Sequence, residues 1–412
     1  MSTTDLIEAL HLHATAATVS ALPQAERRQL QQACDRLQRS LESPLDTTAR
    51  LVFSAHQAMA IRLGVDLKLF DAIAARAGPV ESSASSFKVH ELTEELRADP
   101  LLVRRIVRFL AAMDVVSEVE RDAFVQTPLA AAFVSSSPLS AAVIHSTHFT
   151  TVLSRLPEYF HANGWTCPND GFDGPFQFAM GTDVHYFDFL SSHEYYGQAF
   201  NTVMSSSFRR RGRDWFEFFP VAKRLQGVKD TDALIVDIGG GQGEDLKNFR
   251  TQFPSLPGTL ILQDLQAVVE GAHALPGIEA QGYNFFEPQP VRGARVYFMR
   301  TVLHDWPDRQ AAQILGRVRD AMSDESILLI SETLLPESGV LLSSVISDMQ
   351  MMGSFASLER TEEQWRTLLE DCGFELVSVW LPQECDHSAK SLSEQPALLE
   401  ARLMRHAVDT SS

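Results

Sequence analysis

Apolar and polar positions follow two textures along this chain, one before about residue 230 and another after it. Over the first 45 residues Leu, Ala, Gln and Arg mix with no break other than Pro23 and Pro44, the pattern of one or two helices with little of their own to bury against. From Ala49 to Ala75 the positions Leu51, Ala55, Ala58, Met59, Ile61, Leu63, Leu67, Leu69, Phe70 and Ile73 are too dense for a one-faced surface helix. That density predicts burial, with a subunit interface as one place for it. The small, Ser-rich stretch 81–86 reads as a loop before Val89-His90-Glu91-Leu92 opens another helical run. Leu92 to Glu120 then predicts a helix, a turn at Asp99-Pro100, a helix through Met113 and an extended piece over Val115–Val119, followed by Ala123-Phe124-Val125. Asp99 suits a helix cap, and proline at the first helical position gives up no needed N–H. Helix, turn, helix and two short strands make the outline of a winged helix.

Residues 136–230 are rich in aromatics (Tyr159, Phe160, Trp165, Phe172, Phe176, Tyr186, Phe189, Tyr195 and Tyr196 among them) and show no strand alternation, so helices and loops forming a lid or pocket wall are expected. The texture changes after Asp232. Ala233–Asp237, Leu260–Asp264, Val296–Met299 and Ile327–Ser331 are short apolar runs, several of them separated by helical stretches, which predicts a mainly parallel sheet covered on both faces. Leu246, Phe249 and Phe253 give the helix after the first strand its apolar face. Thr361-Glu362-Glu363-Gln364 is a capping-box pattern opening a helix with Trp365, Leu368, Leu369 and Cys372 on one side and Gly373 at its end. Phe374–Trp380 and Ala397–Met404 read as closing strands.

Composition narrows the partners. With 412 residues, 45% apolar and 21% charged, the chain has enough material for two or three domains with a buried core. Its 35 Lys and Arg stand against 53 Asp and Glu, a formal charge of −18. Nucleic acid and anionic membrane surfaces are therefore poor partners. Arg104, Arg105 and Arg108 keep a DNA-binding reading of the winged helix open, but the net charge favours a protein–protein scaffold. The basic run Arg209, Arg210, Arg211 and Arg213 reads as a solvated helix end. Cys34, Cys167, Cys372 and Cys385 are widely spaced, which argues against a disulfide framework or a structural zinc site. No metal is expected. An acidic N-terminus and the lack of any 18-residue apolar run point to a cytoplasmic protein.

The strongest local signal is Asp237-Ile238-Gly239-Gly240-Gly241-Gln242-Gly243-Glu244, between a buried strand and a helix. A dinucleotide loop calls for glycine at 239, 241 and 244, and position 244 is glutamate, the wrong charge where a pyrophosphate would sit. The Asp-x-Gly-x-Gly-x-Gly pattern instead suits a nucleoside cofactor without phosphates. Asp264, at the end of the second strand, is placed to accept ribose hydroxyls. S-adenosylmethionine has the matching anatomy, with adenosine, a cationic sulfonium and an amino-acid tail. A purely structural glycine turn in an unrelated doubly wound fold is the other reading.

From about Ala49 to Met404 the chain resembles the S-adenosylmethionine-dependent O-methyltransferases of plant and fungal small-molecule metabolism. Four blocks carry the resemblance: 236–243, 297–308 (YFMRTVLHDWPD), 330–336 (ISETLLP) and 348–365 (DMQMMGSFASLERTEEQW). Pro175-Phe176-Gln177-Phe178-Ala179-Met180-Gly181-Thr182 resembles fungal members in particular. The resemblance implies His304 as the base that deprotonates an acceptor hydroxyl, with Glu332 and Glu359 flanking it. It also implies a cofactor site of Asp237, Gly239, Gly241, Asp264, Asn284, Phe285 and Arg300. Asn284 departs from the aspartate common in the family, and Arg300 from the lysine. Met349, Met352 and Phe355, with Met351 and Asp305, are expected around the acceptor, although core packing explains each apolar one nearly as well.

The fold expected is α/β: a doubly wound, Rossmann-like methyltransferase domain with a mainly helical, winged-helix-like N-terminal dimerisation domain. The expected division places the helical N-terminal region at 1–145 and the methyltransferase domain at 146–412, the latter with a helical pocket or lid at 146–230 and a Rossmann-like core at 231–405. The expected activity is methyl transfer from S-adenosylmethionine to a phenolic or enolic hydroxyl of a polyketide-type secondary metabolite, by a homodimer. Two rivals stand beside it: a pericyclic, rearrangement or hydroxylation step that uses the cofactor as a fixed charge, and a DNA-binding regulator.

Overall fold

The structure is a computed structural model that describes residues 2–13, 22–77, 86–205, 213–271, 276–382 and 396–404. Residues 81–85 of the Ser-rich stretch, Arg209, Arg210, Arg211 and Cys385 lie outside the described residues. Two compact units emerge, Met1–Ser135 and Ser136–Ser412.

The first unit is mainly helical, with helices at Thr3–His13, Gln24–Leu41, Pro44–Val52, Ser54–Asp66, Leu69–Ala77, Val89–Leu96 and Pro100–Ala112. A small antiparallel sheet of β1 (Phe87–Lys88), β2 (Val116–Glu120) and β3 (Ala123–Gln126) is ordered β1-β3-β2. The two-residue β1 has too little pattern to be legible in the sequence. Asp99 Oδ1 caps the Pro100–Ala112 helix by accepting the N–H groups of Leu101 and Leu102 at 3.0 and 2.9 Å. That helix buries Val103, Ile106, Val107 and Leu110, one stripe at helical spacing. Arg104 lies on the exposed side and pairs with Asp122 at 2.8 Å. The dense run from Ala49 to Ala75 divides. Val65, Leu69, Phe70 and Ile73 are buried inside the unit, whereas Leu51, Val52, Phe53, Met59 and Leu63 are exposed.

The second unit opens with helices Pro138–His148, Thr150–Ala162, Pro175–Met180, Tyr186–Ser192 and Glu194–Ser205. Residue 145, the expected domain boundary, falls inside the first of these. A seven-stranded sheet follows: β4 (Ala233–Ile238), β5 (Thr259–Asp264), β6 (Ile278–Gly282), β7 (Val296–Arg300), β8 (Ile327–Glu332), β9 (Phe374–Trp380) and β10 (Ala397–Leu403). Its order is β6-β5-β4-β7-β8-β10-β9. β6 through β8 pair in parallel, and β10 inserts antiparallel between β8 and β9.

Side chains of alternate residues serve opposite faces of the sheet. Tyr297, Met299, Leu328 and Ile330 pack with the Asp308–Arg319 and Glu362–Asp371 helices. Val296, Phe298, Ile327 and Leu329 pack with the Glu244–Gln252 helix and with Trp215, Phe216 and Phe219. Both faces are covered, as a doubly wound sheet requires. The strand order reverses at β4, which has β5 on one side and β7 on the other. In such folds ligands bind at the carboxyl ends of the strands flanking that point. Here those ends lead into Gly239, Asp264 and Arg300. Among the described residues no helix is long and apolar enough to cross a membrane, and no His, Cys, Asp or Glu cluster is arranged to hold a metal ion.

Candidate active site

The glycine loop leaves β4 with a backbone that only glycine adopts easily. Gly239 has φ +73°, and a Cβ there would stand 2.8 Å from Val302 Cγ2. Gly240 answers to space: its Cβ would stand 2.5 Å from Asp237 Oδ2 and 2.6 Å from Leu262 Cδ1. The N–H of Gly241 donates to Asp264 Oδ2 at 2.8 Å, and that of Leu265 to Asp264 Oδ1 at 2.7 Å. The loop is thus fastened to the end of β5. Asp237 is 1% exposed, and its Oδ2 has no hydrogen-bond partner among the described residues. Burial pushes its carboxyl well above the ordinary range, and the nearby charges of Asp245 and Asp264 push the same way. Arg300 forms an ion pair with Asp245 at 2.6 Å. Asn284 is exposed, with Oδ1 accepting the Phe286 N–H at 3.2 Å, and the Phe285 ring meets the Trp306 ring edge-on.

The second half of the site grows from the ends of β7 and β8. Arg300 and Ser331 are paired in register, so the turn that follows β7 lies beside Glu332. Thr301 takes φ +49°, and a single 3-10 turn, Leu303–Asp305, carries His304. Glu332 Oε1 accepts the backbone N–H groups of Val302, Leu303 and His304 at 3.2, 3.2 and 3.4 Å, an anion set against the amide end of a turn. His304 is 6% exposed. Its Nδ1 lies 3.3 Å from Glu359 Oε1 and 3.9 Å from Glu332 Oε2, and its Nε2 lies 3.5 Å from Asp305 Oδ1.

Glu359 is held from the Leu342–Phe355 helix. Asp348 Oδ1 accepts its N–H at 2.9 Å, and Ser347 Oγ donates to its Oε1 at 2.8 Å. Burial disfavours a charged imidazole, but the carboxylates of Glu332, Asp305 and Glu359 outweigh it and raise His304 to about 10. Burial raises Glu332 to about 7 against the opposing charge of His304. Arg360, next in the chain, is 1% exposed and reaches the same turn. Its Nη1 donates to the Leu303 carbonyl at 3.0 Å, its Nη2 to the Trp306 carbonyl at 2.8 Å, and Nε and Nη2 both donate to Asp308 Oδ1.

The expected acceptor residues separate. Phe355 and Met351 are buried with Phe149, Val152, Phe176, Tyr186, Phe189 and Leu190 in one apolar cluster. Met352 is half-buried, and Met349 is 43% exposed in a stripe with Leu342, Val345 and Ile346. His185 stacks on Trp306 with ring centroids 4.6 Å apart, and burial lowers it to about 4, so it is neutral.

His304, Glu332, Glu359 and Asp305 form one group, and Asp237, Gly239, Gly241 and Asp264 another. The sequence reading did not single out Asp245, Ser347, Asp348 or Arg360. Asp245 had a local signal, an acid in the first turn after the glycine loop, and the other three lie inside or beside the 348–365 block.

Residues 168–375 match the O-methyltransferase domain family, and residues 49–136 match the O-methyltransferase dimerisation domain. The chain belongs to the S-adenosylmethionine-dependent O-methyltransferase family. It is 32% identical to demethylsterigmatocystin 6-O-methyltransferase of Aspergillus parasiticus, over 85% of this chain and 89% of the relative. It is 33% identical to the O-methyltransferase PenC of Penicillium thymicola, over 85% and 88%. Among solved structures, LepI in complex with SAM aligns with TM-score 0.80 and 28% identity, covering 98% of this chain and 100% of that one. A pericyclic reaction enzyme aligns with TM-score 0.79 and 29% identity, covering 98% and 99%.

Proposed function

We propose that this enzyme transfers the methyl group of S-adenosylmethionine to a phenolic or enolic hydroxyl of a polyketide-type metabolite, with His304 as general base. The observation that carries the reading is the buried imidazole held between Glu359 and Asp305 at the carboxyl edge of the sheet. The loop fits the cofactor. A buried carboxylate oxygen of Asp237 without a partner suits an ammonium group, and the crowding at Gly240 shows a loop closed down on that acid. Asp237, Gly239 and Gly241 would hold the amino-acid end, Asp264 the ribose, Asn284 and Phe285 the adenine, and Arg300 the adenosine side. When bound, S-adenosylmethionine supplies an electrophilic methyl group and a positive charge that offsets the carboxylates around His304.

The chain's own work is to orient and to move one proton. Glu359, accepting from Nδ1–H, fixes the tautomer that leaves the Nε2 lone pair free to act as base. Nε2 removes the hydroxyl proton as the oxygen–methyl bond forms, and Glu359 and Glu332 stabilise the resulting imidazolium. An ordinary imidazole falls short of a phenol by ~3.5 pKa units, or ~5 kcal/mol. The carboxylates narrow that gap by making His304 a stronger base. The same carboxylates keep His304 protonated at neutral pH until a cation offsets them, so proton removal and cofactor occupancy are coupled. Exposed apolar positions at Leu51, Phe53, Met59 and Leu63, within a unit matching a dimerisation domain, support a homodimer.

The likeness to a pericyclic reaction enzyme favours a second reading, in which the same centre binds the cofactor but transfers no methyl group. Incubating the protein with S-adenosylmethionine and a panel of polyketide-type phenols separates the two. Methyl transfer releases S-adenosylhomocysteine and gives a product heavier by one methylene. An isomeric product with the cofactor intact establishes the second reading instead.

A further inference from the structure

We infer that Arg360 is a positioning residue for His304, clamping the backbone of the turn that carries it; the inference rests on the reading of His304 as the base. A guanidinium removed from water carries a desolvation cost of several kcal/mol. Asp308 does not account for that cost alone, because its side chain is 65% exposed while that of Arg360 is fully buried. Two of the four hydrogen bonds go elsewhere, to the carbonyls of Leu303 and Trp306, the residues flanking His304 and Asp305.

A turn this short satisfies few of its own polar groups. Glu332 collects its N–H groups with one carboxylate oxygen, and Arg360 collects its carbonyls with one guanidinium. The turn is therefore held by an anion at its amide end and a cation at its carbonyl end, the arrangement its dipole favours. The Trp365 ring centroid lies 4.9 Å from the guanidinium carbon, a cation–π contact that adds to its burial.

The chain context adds to the argument. Glu359 fixes the ring of His304 from one residue, and Arg360 fixes its backbone from the next. The Arg360 carbonyl accepts the Leu335 N–H at 3.0 Å, and Leu335 follows β8 by three residues past Glu332. The three groups that set the position of the imidazole are thus tied to one another. Thr301, at φ +49° beside this turn, is a backbone conformation that needs such external support.

The test is a kinetic cycle of Arg360→Met and Arg360→Lys in the wild-type and His304→Ala backgrounds, with S-adenosylhomocysteine affinity measured for each variant. Arg360→Met is expected to lower kcat by about 30-fold while KM for the cofactor and S-adenosylhomocysteine affinity stay within about 3-fold, the signature of a displaced catalytic group. Arg360→Lys, which restores one donor, should recover part of the loss. In the His304→Ala background Arg360→Met should change the residual rate by less than about 2-fold, because the group it positions is gone. The inference is overturned if Arg360→Met leaves kcat intact, or if it costs the same factor with and without His304. Should Arg360→Met not fold, the lysine variant decides by the same comparison. A His304→Ala enzyme that keeps full rate removes the base itself, an outcome distinct from failure of the clamp.

Discussion

The glycine loop and the His304 turn both sit at carboxyl ends of neighbouring strands, yet they treat buried charge differently. At the loop, Asp237 presents an oxygen that accepts no hydrogen bond among the described residues, and Gly240 is packed against it with no space for a side chain. At the turn, the imidazole has Glu359 3.3 Å from Nδ1 and Asp305 3.5 Å from Nε2, and its backbone is held by Glu332 and Arg360. An unsatisfied buried carboxylate is costly, so its persistence points to a partner from outside the chain. At the turn Glu332 Oε2 likewise lacks a hydrogen-bond partner among the described residues, but the shared hydrogen bonds of the network hold its members in one geometry. In the proposed reading the difference separates binding from chemistry: the first region leaves a buried acid for a ligand to meet, and the second is held in place largely by the chain's own hydrogen bonds.

Substitutions that break one region and spare the other test that division. His304→Ala should lower kcat by about 10²-fold or more with S-adenosylhomocysteine affinity near wild type, measured by steady-state kinetics and calorimetry. Asp237→Asn should do the reverse, weakening cofactor affinity by about 10- to 100-fold with kcat at saturation changed only a few-fold, the loss of one charge-assisted hydrogen bond. Equal losses in both parameters for either variant would erase the distinction.

Glu359→Gln keeps an acceptor for Nδ1 but removes a charge that raises His304. Its pH–rate profile should therefore show the acid limb moved to lower pH, with a fall in maximal rate of about 10-fold as the imidazolium loses support. The smallest effect concerns stability without ligand. His304 is raised in the folded state from 6.5 to about 10, so its contribution is complete below about pH 6.5 and is lost as pH rises towards 10. Glu332, raised from 4.5 to about 7, is protonated more readily in the folded than the unfolded chain and acts in the same direction over that lower window. The thermal midpoint should fall between about pH 6 and pH 9, and fall less in His304→Gln. A midpoint that rises over this range would contradict the charge arrangement at the turn.

Much of this was legible because short-range pattern encodes it. The runs at Ala233–Ile238, Val296–Arg300 and Ile327–Glu332 are nearly all apolar because both their faces are covered. The glycine spacing encodes a backbone shape. β6 escaped notice because Ile278-Glu279-Ala280-Gln281-Gly282 is an edge strand with exposed positions and no apolar run. The insertion of β10 between β8 and β9 was not readable either, since register among strands far apart in sequence leaves no local mark. Glu400, fully buried in β10, is held by Trp380 Nε1 at 3.0 Å and Arg224 at 3.1 Å, partners that no periodicity reveals. Arg360 belongs to the same class: beside a capping box it looks like a solvated charge, and its hydrogen-bond partners lie within residues 303–308, more than fifty positions earlier. Met349, expected at the acceptor, lies on the exposed side of its helix with Leu342, Val345 and Ile346.

The most direct measurement is the pH dependence of single-turnover methyl transfer at saturating S-adenosylmethionine, in wild type and in His304→Gln. A titrating imidazole base predicts a wild-type rate that falls on the acid side and a variant that is slow and flat across the same range. A variant that retains both the rate and the acid limb of the wild type would show that another group, or the solvent, takes the proton.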